Sequence, residues 1–72
     1  MERMTIRVHS VDRDHETNTE VGRVMVVSRR QLKGMPVATL ELRIRVSVIE
    51  NERPVSTKRR VLDEALLFLD PE

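Results

Sequence analysis

Val37-Ala-Thr-Leu-Glu-Leu-Arg-Ile-Arg-Val-Ser-Val-Ile49 decides the reading of this chain. From Leu40 onward every second residue is apolar: Leu40, Leu42, Ile44, Val46 and Val48 point one way. Thr39, Glu41, Arg43, Arg45 and Ser47 point the other. Five consecutive matches to a two-residue period define a strand with one buried and one open face.

Upstream, Val21-Gly-Arg-Val-Met-Val-Val-Ser-Arg-Arg30 is rich in β-branched residues and apolar on both parities. Val24 and Val26 share one side, Val21, Met25 and Val27 the other, the pattern of a central strand. Met4 to His9 alternates again, with Met4, Ile6 and Val8 inward and Arg3, Thr5, Arg7 and His9 outward. Between these strands Asp12 to Glu20 holds no apolar residue and reads as a long acidic hairpin loop carrying Asp12, Asp14, Glu16 and Glu20. Gln31 to Pro36 reads as a turn, with Gly34 free to take positive φ and Pro36 fixing the exit.

Glu50 to Pro54 breaks the third strand, and a helix follows with Ser56 or Thr57 as its N-cap. At 100° per residue, Val61, Leu62, Ala65, Leu66, Phe68 and Leu69 form one apolar face, with Leu67 turned away. Pro71 ends the element. On this reading Lys58, Arg59 and Arg60 lie in the first turn, with Asp70 and Glu72 at the far end, opposite to what the helix dipole favours. An anion against the three basic residues would reverse that penalty; pairing of Arg59 with Asp63 and Arg60 with Glu64 would screen it.

The sum is β-β-β-α: one α+β domain over residues 1–72, a three-stranded antiparallel meander with a C-terminal helix on one face, in two layers. The uncovered face carries Val21, Met25 and Val27 between Arg7, His9, Arg43 and Arg45.

Seventy-two residues bury only about 60% of their unfolded surface, and a core of this size stabilises by about 3–5 kcal/mol. Without cysteine, neither a disulfide nor a thiolate zinc site can reinforce it. Self-association or a partner is the expected reinforcement, and a homodimer the expected form. Thirteen basic residues stand against twelve acidic ones, for a net charge of +1, but eleven of the thirteen are Arg. Arg is the bidentate, weakly hydrated cation of interfaces and phosphate contacts. No apolar run reaches the length of a membrane span, and Met1 to Ser10 lacks the apolar stretch of a signal peptide, so a cytoplasmic protein without a membrane partner is expected.

Chemistry has little to work with. Asp12, Asp14 and Glu16 take the first offsets of a calcium loop, yet Thr17 stands where glycine is needed and Arg23 where the closing glutamate belongs. No phosphate-binding glycine loop or nucleophile elbow occurs. No catalytic residue, metal, cofactor or small-molecule substrate is expected. The reading is a small non-enzymatic binding protein acting through protein–protein contacts: a regulator, adaptor or inhibitor of the size phages and mobile elements encode. Its partner or dimer interface is Arg7, His9, Val21, Met25, Val27, Arg43 and Arg45, with the acidic loop steering a basic partner. The alternative is a duplex-DNA-binding regulator using Arg43, Arg45, Lys58, Arg59 and Arg60, since strands can enter a major groove and Arg can read guanine. With Phe68 the only aromatic residue, base stacking by a single-strand binder is disfavoured.

Glu20 to Leu32, "EVGRVMVVSRRQL", resembles the "GRVVIP" stretch of AbrB-type swapped-hairpin DNA-binding proteins, with Leu40-Glu41-Leu42 following. Val27 stands where that family has proline, and the acidic loop and C-terminal helix are additional. No function is carried across from it.

Overall fold

A computed structural model describes residues 4–70. Five strands and a helix follow in order: β1 (Met4–Asp14), β2 (Thr19–Ser28), β3 (Gln31–Leu32), β4 (Met35–Pro36), β5 (Thr39–Ser47) and α1 (Pro54–Leu69). β1, β2 and β5 form an antiparallel sheet in that order, with β2 in the centre. The helix packs on one face, so the fold is the expected α+β meander in two layers. The outward placing of Arg3 and the expected roles of Pro71 and Glu72 lie outside the described residues.

The core sits between helix and sheet. Val24, Ile44, Val46, Val61 and Ala65 form it, with Ile6, Val8, Val11 and Leu42 packed around them. Three registers set it up: Val8–Val24–Leu42, Val11–Gly22–Ile44 and Ile6–Val26–Leu40. β1 keeps its apolar residues inward on both sides of an irregularity between Val8 and Ser10. A bulge there resets the parity, so that Val11 follows Val8 onto the core face at an offset of three residues rather than two or four. Helix and sheet meet closely at Gly22, where an added Cβ would lie 2.4 Å from Val61 Cγ1.

Several sequence expectations are corrected. The acidic loop from Asp12 to Glu20 is mostly strand. β1 runs through Asp14, β2 starts at Thr19, and only His15 to Asn18 turn. Polar side chains do not stop a ladder whose backbone groups are paired, and Asn18 closes the turn at φ 54. The segment Gln31 to Pro36 turns as expected, but as a two-residue hairpin extending β2 and β5. Lys33 and Gly34 take φ 55 and 82 between the paired β3 and β4, the left-handed pair that such hairpins need.

The helix begins three to four residues earlier than expected. Arg53, not Ser56 or Thr57, is the N-cap, with no side-chain cap, and Pro54 opens the first turn. Proline there has its φ preset and no N–H to leave orphaned. Lys58, Arg59 and Arg60 therefore lie in the second turn. The contact stripe is also narrower than the apolar arc: Thr57, Val61 and Ala65 are buried, Leu62 and Leu69 half-buried. Leu66 and Phe68 are exposed, Phe68 by 70%, and Leu67 faces away as expected. A helix lying this close to a glycine touches the sheet along a single i, i+4, i+8 row. Leu40, expected in the core, is 49% exposed because it sits at the sheet end, and β5 stops at Ser47 before the half-buried Val48.

Candidate functional site

The sheet face opposite the helix is built from the alternate residues of three strands. Its rows, read β1–β2–β5, are Thr5–Val27–Thr39, Arg7–Met25–Glu41, Ser10–Arg23–Arg43, Asp12–Val21–Arg45 and Asp14–Thr19–Ser47. Val21, Met25 and Val27 are half-buried by their neighbours' long side chains, while Arg7, His9, Arg43 and Arg45 are exposed. All seven residues expected to form an interface thus share this face.

Two depressions mark it. One, of about 520 Å³, is lined by Arg7, His9, Met25 and Val27 and reaches Gln31 and Pro36 of the hairpin extension. The other, of about 490 Å³, lies between Asp12, Val21, Arg23, Arg43 and Arg45.

Arg23 was missed by the sequence reading, although it shares parity with Val21 and Met25 and stands at the centre of the face. Directly across the ladder it faces Arg43, and like charges in that position repel. Glu41 mediates: its carboxylate accepts from Arg23 Nε at 3.2 Å and lies 3.8 Å from Arg43 Nε. Hydrogen bonding from Arg23, with the charges of Arg23 and Arg43, holds Glu41 below the usual carboxylate range. One carboxylate thus serves two guanidiniums, and the Arg43 side chain stays 76% exposed.

Arg45 is committed differently. Its Nη1 donates to Thr19 Oγ1 at 2.6 Å, Thr17 Oγ1 at 2.8 Å and Asp14 Oδ2 at 3.0 Å. The Arg45 hydrogen bond, seconded by Thr17, pulls Asp14 below its ordinary range. On the helix side Glu20 pairs with Arg13 at 3.2 Å. Asp14 and Glu20 are therefore neutralised within the chain and sit on opposite faces. Asp12 and Glu16 are the exposed acids left from the expected loop. The hydroxyl of Ser10, next to the bulge, is covered and has no hydrogen-bond partner among the described residues.

The expected anion site at the helix start is not assembled as drawn. Arg60 is held by the loop before the helix. Its Nε and Nη2 donate to Glu52 at 2.9 and 2.6 Å, and Nη2 also donates to the Ser47 carbonyl at 2.9 Å. Thr57 Oγ1 donates to the same Glu52 at 2.8 Å. The negative partner of the basic stretch is thus Glu52, not Glu64, and Arg60 lowers its pKa. Arg59 pairs with Asp63 at 3.7 Å, the i, i+4 contact expected. Lys58 and Arg59 remain exposed on the helix, away from the Arg43 face.

Among the described residues no three His, Cys, Asp or Glu side chains are grouped as metal ligands, and no helix is long and apolar enough to cross a membrane. Comparison with family models, with curated proteins and with solved structures gives no significant match. The likeness of Glu20–Leu32 to AbrB-type proteins gains no support from these comparisons.

Proposed function

We propose that this chain is a small non-enzymatic binding protein that acts through protein–protein contacts on the open face of its sheet, as a regulator, adaptor or inhibitor does. One observation carries the reading: Val21, Met25 and Val27 run along the central strand of a face that no element among the described residues covers, and every cation framing them on the three strands there is Arg or His. An apolar centre, Arg enrichment and Lys depletion are the composition of interface cores.

The test is the paired substitution Met25→Glu and Val27→Glu. Both side chains lie outside the core, so the fold survives, while the mass in solution and the retention of a partner fall. Unchanged mass with unchanged partner binding removes this face from consideration.

A second reading is supported by Arg43, whose side chain is largely exposed and whose ion pairing among the described residues is limited to a long contact with Glu41. With Arg7 and Arg23 it would give a duplex-DNA reader whose sheet enters the major groove. Its affinity would fall with salt, with a slope of about −0.9 in log–log form for each phosphate neutralised. Failure to retain duplex DNA at low salt eliminates it.

A further inference from the structure

The charges of the open face are arranged with an internal antisymmetry. Above the Ser10–Arg23–Arg43 row lies Arg7–Met25–Glu41: positive, apolar, negative. Below it lies Asp12–Val21–Arg45: negative, apolar, positive. In each of these rows the two edge strands carry opposite signs and the central strand an aliphatic residue. We infer that the occupant of the face is a second copy of this chain, related by a two-fold axis running along β2. The inference rests on the open face being a binding surface and names its partner.

Such an axis exchanges the edge strands while keeping each row in place. Arg7 then meets Glu41 of the second copy, and Asp12 meets Arg45 of the second copy. Met25, Val21 and Val27 each meet their own equivalents. Arg43 lies over Ser10 of the second copy, a small uncharged residue, and Arg23 is the one charged residue that meets its like. The contact is isologous, so each pairing across the axis occurs twice. Stacked sheets are rotated by about 30°. At the distance of Arg7 from the centre of the face, that shifts a residue by about 4 Å, within reach of an Arg side chain. A two-fold axis running across the strands would also set opposite signs together, but it stacks both Arg23 and Arg43 on themselves.

Three strands give a footprint of about 15 by 30 Å, at the small end of specific interfaces. The dimer is therefore expected to dissociate on dilution and in salt. Arg7 and Asp12 are the informative residues, because both are exposed and neither enters an ion pair among the described residues. Sedimentation equilibrium of the full chain at low salt should show a monomer–dimer equilibrium. Arg7→Glu and Asp12→Arg should each raise the dimer Kd by about tenfold or more, since each sets like charges together. Circular dichroism should show both variants folded. The double variant should be weaker than either single one.

Restoration of the dimer in the double variant would place Arg7 against Asp12 of the second copy, and would overturn the axis along β2. A native chain that stays monomeric to millimolar concentration overturns the second copy as partner. So does a dimer indifferent to both substitutions. A monomeric chain would still leave the open face to its own test, the loss of partner retention on Met25→Glu with Val27→Glu.

Discussion

Gly22 on the central strand lies directly beneath Val61 of the helix: a Cβ at position 22 would stand 2.4 Å from one Val61 methyl and 2.9 Å from the other. Gly22 and Val61 are both buried, Val61 completely. The helix can approach this closely only because the sheet offers a groove one side chain deep at that row. Gly22→Ala should therefore destabilise by about 1–3 kcal/mol, the cost of overpacking a close contact. Val61→Ala should cost about 1.5–3 kcal/mol by losing a buried side chain. The double variant should cost less than the sum, because removing the Val61 methyls vacates the space the new Cβ needs. Urea denaturation of the four proteins measures the coupling, and strict additivity would contradict the close approach.

The loop before the helix is closed by Glu52, which receives Arg60 and Thr57 together. Its pKa is lowered in the fold, chiefly by the Arg60 hydrogen bond, so it binds fewer protons there than in the unfolded chain. Its contribution is therefore fully present above about 4.5, the ordinary glutamate value, and is lost as pH falls through the lower folded value. Asp14 and Glu41, lowered by Arg45 and Arg23, act in the same sense. Thermal melts should show Tm flat near neutrality and falling in acid below that point. Glu52→Gln should melt lower than the native protein at pH 7, and the gap should narrow by pH 3. A gap independent of pH would mean that the carboxylate charge does not hold the loop.

Arg23 and Arg43 oppose each other on the ladder with Glu41 between them. Arg43→Thr should remove the repulsion and put a β-branched residue on the strand, raising stability by a few tenths to about 1 kcal/mol. The same change should weaken whatever the open face binds. A residue that costs the monomer stability but supports binding is expected at a functional surface. Denaturation midpoints and binding are measured on one preparation. Lower stability in Arg43→Thr would show that the pair is not a burden on the fold.

How legible this fold was depended on period and parity. Leu40 to Val48 announced a strand with two unlike faces, and the mixed parities of Val24, Met25, Val26 and Val27 placed β2 in the centre. Face assignments for Arg7, Met25, Val27, Arg43 and Arg45 followed directly. Arg23 was legible by the same parity but was hidden by its aliphatic neighbours. What could not be read came from contacts distant in sequence. The strands continue through Asp12, Asp14 and Glu20 because their backbones are paired, which side-chain polarity does not report. The helix touches the sheet along Thr57, Val61 and Ala65 because Gly22 admits it there. A helical wheel gives Phe68 the same weight as Ala65, although Phe68 is 70% exposed. The partner of Arg60 is Glu52, eight residues back across a loop, rather than the i+4 neighbour that helical spacing favours.

The start of the helix supplies a final prediction. Arg53 is the N-cap residue, with φ −70 and ψ 144, and its side chain makes no capping bond. Pro54 has no N–H, and the Ser56 and Thr57 N–H groups both reach the Arg53 carbonyl, at 2.9 and 3.1 Å. A serine at position 53 can hold the same backbone angles, which the following proline already favours, and its hydroxyl can accept a hydrogen bond from a first-turn N–H. It also removes a positive charge from the positive end of the helix dipole. Arg53→Ser should therefore raise stability by about 0.5–2 kcal/mol, and by less at high salt as the charge component is screened. The fold of the sheet and the binding of the open face should be unaffected, because position 53 lies in the loop leading to the helix. A destabilised Arg53→Ser variant would mean that the guanidinium supports the loop by a contact of its own, and that the helix start is not limited by its missing cap.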